Sequence, residues 1–371
     1  MATGGIMAQK TRRIIDGDGH IFEDSEGIRS FLPPEWKEAS IGNMFGYWPP
    51  FGSHLFFALN KVPEGAFKDP GFDGWVEFLD TQGFDATVLY PSAFLHFGRI
   101  PDLNLALGVA KAYNNWLHQA YLSRDSRFKG MAMIPLQDPK AAALELRRAV
   151  TELGMCGAML TGVGHKGELG TQEFWPVYEE ADRLGCSLAL HAGTHAGLGL
   201  DHMNIFAGSN ALGHPLAVSI GFTSMLLNGV FDKFPNARYA FLEAGVGWFL
   251  MTLERTTRSF GAFPPLDPDK QYLQLAPGEN VADYVRRHAK EGRIVVGVEG
   301  GEPDLAHAVR SMGKEAFMYS SDFPHEATKE TIGEEIGELL SNEELTEDDR
   351  DAILYRNAEL FYGFNLVPAK S

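Results

Sequence analysis

The sequence predicts an α/β fold, a single (β/α)8 TIM barrel with long loops after strands 1 and 5. Three observations carry that reading. Eight short apolar runs bounded by turn residues recur along the chain, the pattern of strands buried on both faces of a parallel sheet. Helical patterns fill most of the intervals between them. Closure into a cylinder is the simplest way for such a sheet to leave no edge. An open, doubly wound sheet is the rival, and strand count alone does not separate the two.

The predicted strands are residues 13–17 (RIIDG), 86–90 (ATVLY), 130–134 (GMAMI), 157–161 (GAMLT), 187–191 (SLALH), 238–242 (RYAFL), 294–298 (IVVGV) and 317–320 (FMYS). After the third, residues 141–153 place Leu146, Ala149, Val150 and Leu153 on one helical stripe, and Gly154 ends it. Residues 174–184 form the helix before the fifth strand, stopped by Gly185, and residues 248–258 form the helix after the sixth. Two connections are too long for turns. Residues 21–72 carry Tyr47, Trp48, Pro49, Pro50 and Phe51; residues 192–215 are rich in Gly and hold His195, His202 and His214. Loops of that length are usually lids or binding loops, and both leave the C-terminal ends of strands, where barrel enzymes keep their sites. Residues 1–13 read as an N-terminal extension and 14–371 as one barrel domain, with 21–72 as a lid or insertion. The sequence shows no internal repeat, low-complexity tract or linker.

Bulk composition narrows the function classes. A 44% hydrophobic share is ample for a large core, and 22% charged residues is ordinary for a globular chain. The net charge of −17 repels phosphate backbones and anionic membranes, so a small-molecule substrate is expected and nucleic acid is not. A bound metal would invert that sign locally and leave room for an anionic substrate. Cys156 and Cys186 each open a short apolar run and read as small buried residues rather than as a disulfide or a metal pair. The basic N-terminus is followed by no apolar segment of signal-peptide type, and no stretch approaches membrane-spanning length. A soluble, cytoplasmic protein is expected.

Chemistry concentrates at three strand ends. In Asp16-Gly17-Asp18-Gly19-His20, alternation along a strand puts Asp18 and His20 on one face, with Asp16 a step deeper, and the glycines remove side chains that would crowd an ion. The same letters also suit a turn. His191 ends the fifth strand, where a hydrogen-bonded core histidine is the bland alternative. Asp322, in 319–325 (YSSDFPH), follows the eighth strand, where it could also cap a helix. In a closed barrel, strands one and eight are neighbours and strand five lies across the mouth. Asp18, His20, His191 and Asp322 then converge, and two carboxylates with two neutral imidazoles balance a dication while leaving positions open. Zinc is the first expectation and manganese the alternative. A formal G-x-G-x-x-G at 162–167 lacks the acidic residue a dinucleotide site wants at the end of the next strand, and is set aside.

The motifs DGDGHIFED, LDTQGFDATVLYPS, AYNNWL, RFKGMAMIPLQDP, LALHAG, GVFDKFPNARYAFLEAGVGW and YSSDFPH, spread from Ile14 to about Phe361, together resemble the amidohydrolase superfamily. The likeness is to the branch, amidohydrolase family 2, that holds aminocarboxymuconate-semialdehyde and resorcylate-type decarboxylases. The resemblance implies one divalent metal held by Asp18, His20, His191 and Asp322, with Asp322 also transferring a proton. It further implies a homodimer or homotetramer. One position departs: where many members carry a His in an H-G-G-like motif, this chain has Glu243 in FLEAG. Glu243 could bind metal or substrate, act as a base, or anchor a loop by pairing with Arg255. His325 would orient Asp322 or touch substrate. His195 and His214 read as loop residues available for substrate contact, and Trp48 and Phe51 as the cover over a flat substrate. His54, His96, His118, His165, His202, His288 and His307 are read as structural or solvated.

Two enzymatic readings follow. The first is a metal-dependent, non-oxidative decarboxylase of an aromatic or unsaturated carboxylic acid, in which the metal chelates the substrate and Asp322 transfers the proton. The alternative is a metal-dependent hydrolase of a C–C, lactone or amide bond, using metal-activated water with Asp322 as general base. A non-catalytic barrel is the third reading, and metal content separates it from the other two.

Overall fold

The structure, a computed structural model, describes residues 12–38, 61–193, 197–200 and 202–364. Eight parallel strands pair in sequence order: β1 (Ile15–Ile21), β2 (Ala86–Pro91), β3 (Phe128–Met133), β4 (Gly157–Thr161), β5 (Ser187–His191), β6 (Arg238–Leu242), β7 (Ile294–Val298) and β8 (Phe317–Tyr319). Two backbone hydrogen bonds close the cylinder. The Asp322 amide donates to the Asp18 carbonyl at 3.0 Å, and the His20 amide donates to the Phe323 carbonyl at 2.7 Å. This is the predicted (β/α)8 barrel, and the open-sheet rival falls.

β4 to β7 match the predicted boundaries, because each is a short apolar run between turn residues and is buried on both faces. The helices between them begin and end at local signals. In helix Pro139–Leu153 the Asp138 carboxylate accepts the amides of Lys140 and Ala141, and Gly154 closes it in the left-handed region (φ 68°). Cys156 and Cys186 are free thiols, Cys186 buried.

Several local readings change, and β3 starts two residues earlier than predicted. β1 runs four residues past its predicted end, so Asp18 and His20 lie inside a strand whose seven residues are all buried. Strict alternation also fails there. Asp16 pairs with Thr87 and Gly19 with Leu89, so three steps on β1 oppose two on β2, as in a bulge. Residues 21–72 are not all loop, since helices Ser25–Ser30 and Pro34–Glu38 lie within them. His214 and Pro215 belong to helix Phe206–Leu227, not to a loop. Glycine and proline obscured that helix, which is held by burial of Ala217, Val218, Phe222 and Met225 against the barrel.

Gly19 sits where nothing larger fits. A Cβ there would stand 2.5 Å from Thr87 Oγ1 and 2.7 Å from both Asp16 Oδ2 and Trp75 Cη2. Gly19→Ala is therefore expected to destabilise the fold by about 1–3 kcal/mol through overpacking, read as a lower urea midpoint. An unchanged midpoint would mean that β1 can give way at this point.

Candidate metal centre and active site

Backbone register brings the site together. β4 and β5 align Thr161 with His191, and β5 and β6 align His191 with Leu242, so Glu243 emerges beside His191. Glu243 (φ 54°) and Asp322 (φ 51°) both adopt left-handed backbone just past their strands. That conformation costs a non-glycine residue about 1–2 kcal/mol and tends to cluster where geometry serves function.

Two imidazoles have their tautomers set by carbonyls. His20 Nδ1 donates to the Pro91 carbonyl at 2.9 Å, and His191 Nδ1 donates to the Ala192 carbonyl at 2.6 Å. Each Nε2 points inward, and the two stand 3.2 Å apart. Asp18 Oδ1 lies 3.5 Å from both Nε2 atoms. Asp322 Oδ1 lies 3.3 Å from His20 Nε2. The four predicted ligands thus meet at His20, which belongs to two groups of donors: Asp18, His20 and His191, and His20, Asp322 and His325. Within each group the ligand atoms lie within 4.8 Å of one another.

These residues fit a divalent cation on two observations. Asp18 is 1% exposed, and neither of its carboxylate oxygens has a hydrogen-bond partner. Buried carboxylates are normally paired or hydrogen-bonded, so both oxygens are ready for an electropositive neighbour. His20 and His191 are fully buried, with their Nε2 atoms turned toward the same point. Mixed carboxylate and imidazole donors suit zinc or manganese.

The surrounding groups hold this arrangement. Asp16 carries no free valence for an ion: its carboxylate accepts from Thr87 Oγ1 at 2.7 Å, from the Ser321 amide and hydroxyl at 2.9 Å each, and from the Asp18 amide at 3.2 Å. His325 stacks on His20 with ring centroids 4.0 Å apart, donates from Nδ1 to Asp322 Oδ1 at 2.7 Å, and places Nε2 2.8 Å from the Ser92 hydroxyl. Glu243 Oε2 lies 3.2 Å from His214 Nδ1 and 3.5 Å from His191 Nδ1. Its ion partners are imidazoles and not Arg255, which is exposed on helix Gly247–Ala262.

Electrostatics follow from burial and from these pairs. Burial pushes the Asp18 carboxyl up to about 6 against the opposing pull of His191. Burial disfavours the His191 cation, but the Asp18 and Glu243 carboxylates outweigh it and lift His191 to about 9. His20 is driven well below the usual histidine range by burial and by the nearby His325 and His191. Burial would raise Glu243, yet His214, His191 and His325 hold it down at about 2. Asp322 is raised by burial and by Glu243, with His325 opposing.

The mouth beside the cluster is an open pocket lined by Asp18, Glu243, Glu299, Glu302, Ser320 and Asp322, together with residues of β7 and of the turn after β6. Glu299 presents more than a third of its surface, yet desolvation in the pocket and the carboxylates of Glu335, Asp322, Glu302 and Glu243 lift it to about 8. Sequence reading missed Ser92, Glu299, Glu302 and Ser320. Ser92, Glu299 and Ser320 each fall within two residues of a strand end, the one signal that could have found them. Trp48, Phe51 and His195 lie outside the described residues. His214 and His325 do reach the site. Of the remaining histidines, His118 and His165 face backbone carbonyls, His288 faces Asp232, His96 is half-buried, and His202 and His307 are exposed. No helix among the described residues is long and apolar enough to cross a membrane.

The family model described as Amidohydrolase matches residues 15–364. The chain is 24% identical over 344 residues to 2-amino-3-carboxymuconate-6-semialdehyde decarboxylase of Dictyostelium discoideum, covering 90% of each. It is 28% identical over 243 residues to gamma-resorcylate decarboxylase of Rhodococcus jostii, covering 61% of this chain and 69% of that one. The fold superposes on 5-carboxyvanillate decarboxylase of Novosphingobium aromaticivorans, solved with manganese and 4-hydroxy-3-methoxy-5-nitrobenzoic acid. There the TM-score is 0.68 at 18% identity, covering 96% and 97% of the two chains. It also superposes on 2,6-dihydroxybenzoate decarboxylase from Rhizobium, with a TM-score of 0.68 at 20% identity, covering 95% and 99%.

A metal entering this centre must displace the proton that His191 carries below about pH 9. Calorimetric titration at about pH 8 in buffers of different ionisation enthalpy is expected to report release of about one proton per metal. Affinity should rise with pH and level off once His191 is neutral. Binding without proton release would remove His191 from the ligand set.

Proposed function

The chain belongs to the amidohydrolase family, and from that membership we propose that it is a metal-dependent, non-oxidative decarboxylase of an aromatic or unsaturated carboxylic acid. The observation that carries this reading is the buried Asp18 carboxylate, without hydrogen bonds, facing the Nε2 atoms of His20 and His191 and opening onto a pocket beside Asp322. The relatives it matches include proteins named as decarboxylases of such acids. Asp18, His20, His191 and Asp322 would hold the ion. Manganese, bound in solved relatives, is the first metal to test and zinc, the expectation from sequence, the second. When bound, the ion supplies positive charge against which the substrate carboxylate and an adjacent oxygen can lie.

The protein's own groups do the rest. Asp322 is assigned to carry the proton into the reaction. As the bond to the departing carboxylate breaks, its electron pair stays on the substrate carbon. That carbon takes the proton from Asp322, and CO2 leaves. His325 holds Asp322 Oδ1 in place and is itself held by Ser92. Glu243 orients His191 and His214, and His214 is assigned to substrate contact. Trp48 and Phe51 are assigned to covering a flat substrate and excluding water, and His195 to contacting it.

The hydrolytic alternative draws on Glu243 as a second base. Its engagement with two imidazoles, which holds it ionised, favours an anchoring role instead. We further read residues 14–371 as one catalytic unit, cytoplasmic and assembled as a homodimer or homotetramer.

Metal-loaded protein incubated with hydroxybenzoates and lactones should release CO2 from the former and leave the latter intact; hydrolysis without CO2 release would overturn the reading. Asp322→Asn is expected to keep the fold and lower kcat by roughly 10²–10⁴-fold, and full activity would sink its assigned role. Ser92→Ala should lower kcat by about tenfold with KM little changed, as expected of a residue that acts through His325. A change in KM alone would count against that role.

A further inference from the structure

Five carboxylates line the pocket beside the metal ligands: Asp18, Glu243, Glu299, Glu302 and Asp322. No Lys, Arg or His is among the described lining residues. Four of the five are engaged. Asp18 and Asp322 face the imidazoles, Glu243 faces His191 and His214, and Glu302 accepts the amides of Val246 at 2.6 Å and Glu299 at 3.0 Å. Glu302 thereby ties the turn after β7 to the turn after β6, and the Glu299 carboxyl remains to face the pocket.

A second observation falls on the same wall. Ser320 is 5% exposed, and its hydroxyl has no hydrogen-bond partner. It occupies the space left by a missing side chain, since a Cβ on Gly297 would stand 2.6 Å from Ser320 Oγ. Gly297 and Ser320 both line the pocket. Buried hydroxyls are ordinarily paired, so an unpaired one opening onto a binding cavity calls for a partner from the ligand.

We propose that Glu299 and Ser320 form a substrate subsite for a hydrogen-bond-donating substituent, an amine above all, and that this wall rejects a second carboxylate on the substrate. The orientation of the substrate rests on the decarboxylase reading, which puts the reacting carboxylate at the metal ligands and the rest of the ring toward β7 and β8. A donor there meets a carboxyl and a hydroxyl oxygen that both accept. A second anion finds no Lys, Arg or His on the described lining, and once Glu299 is ionised, above about pH 8, the desolvated wall adds repulsion.

The test is a calorimetric titration of the manganese-loaded protein with matched 2-hydroxybenzoates carrying an amino group, hydrogen or a carboxylate at ring position 4 or 5. Read as binding, it does not depend on turnover. In one of the two positions the amino compound is expected to bind tightest, and the carboxylate about tenfold or more weaker than it. Glu299→Gln should shrink the amino-to-carboxylate ratio by about tenfold, and Ser320→Ala should lower the amino-to-hydrogen ratio. Equal binding of amino and carboxylate compounds, or ratios that survive both substitutions, would overturn the subsite. So would the loss of a second manganese equivalent in Glu299→Gln, which would make the wall a cation site. If discrimination holds but no compound releases CO2, the decarboxylase reading fails and the subsite stands.

Discussion

The seam between β8 and β1 is the constraint on which the site depends. Two backbone hydrogen bonds close the barrel there, and the residues that make them include Asp18, His20 and Asp322. Fold closure and ligand placement are therefore one event: the amide of one acid docks on the carbonyl of another. Asp16 reinforces the seam from within, since its buried carboxylate binds Thr87 on β2 and Ser321 after β8 as well as the Asp18 amide. The bulge in β1 lets this happen. It sends Asp16 to these supports and leaves Asp18 and His20 together at the mouth.

Around that seam the charges are arranged as alternating acid and imidazole. His191 stands between Asp18 and Glu243, Glu243 between His191 and His214, and His325 between Asp322 and Ser92. Each imidazole thereby has a fixed orientation, which a metal ligand or a proton carrier needs. The exchange of His for Glu at position 243 reads differently in this setting. An acid flanked by two imidazoles is held ionised and paired with them.

Much of this was legible before folding, and the exceptions have physical causes. Strands buried on both faces announce themselves as apolar runs, so β4 to β7 could be bounded to the residue. β1 could not, because Asp18, Gly19 and His20 carry no strand signature and are held extended by their neighbours on β2 and across the seam. Helix Phe206–Leu227 was hidden by its glycines and proline, and with it the approach of His214 to Glu243. Ser92 and Ser320 gave no signal of their own, since a serine after a strand is common and its partner lies far away in sequence.

The sequence by itself determined the alternation of strands and helices, the net negative charge and the residue types able to hold an ion, because periodicity and composition are local properties. Tertiary structure alone decided that Asp16 supports rather than ligates, that Glu243 pairs with imidazoles rather than Arg255, and that Glu299 and Ser320 share a wall. Those outcomes depend on distances between strands that meet only when the cylinder closes, and on which polar groups burial leaves with a partner.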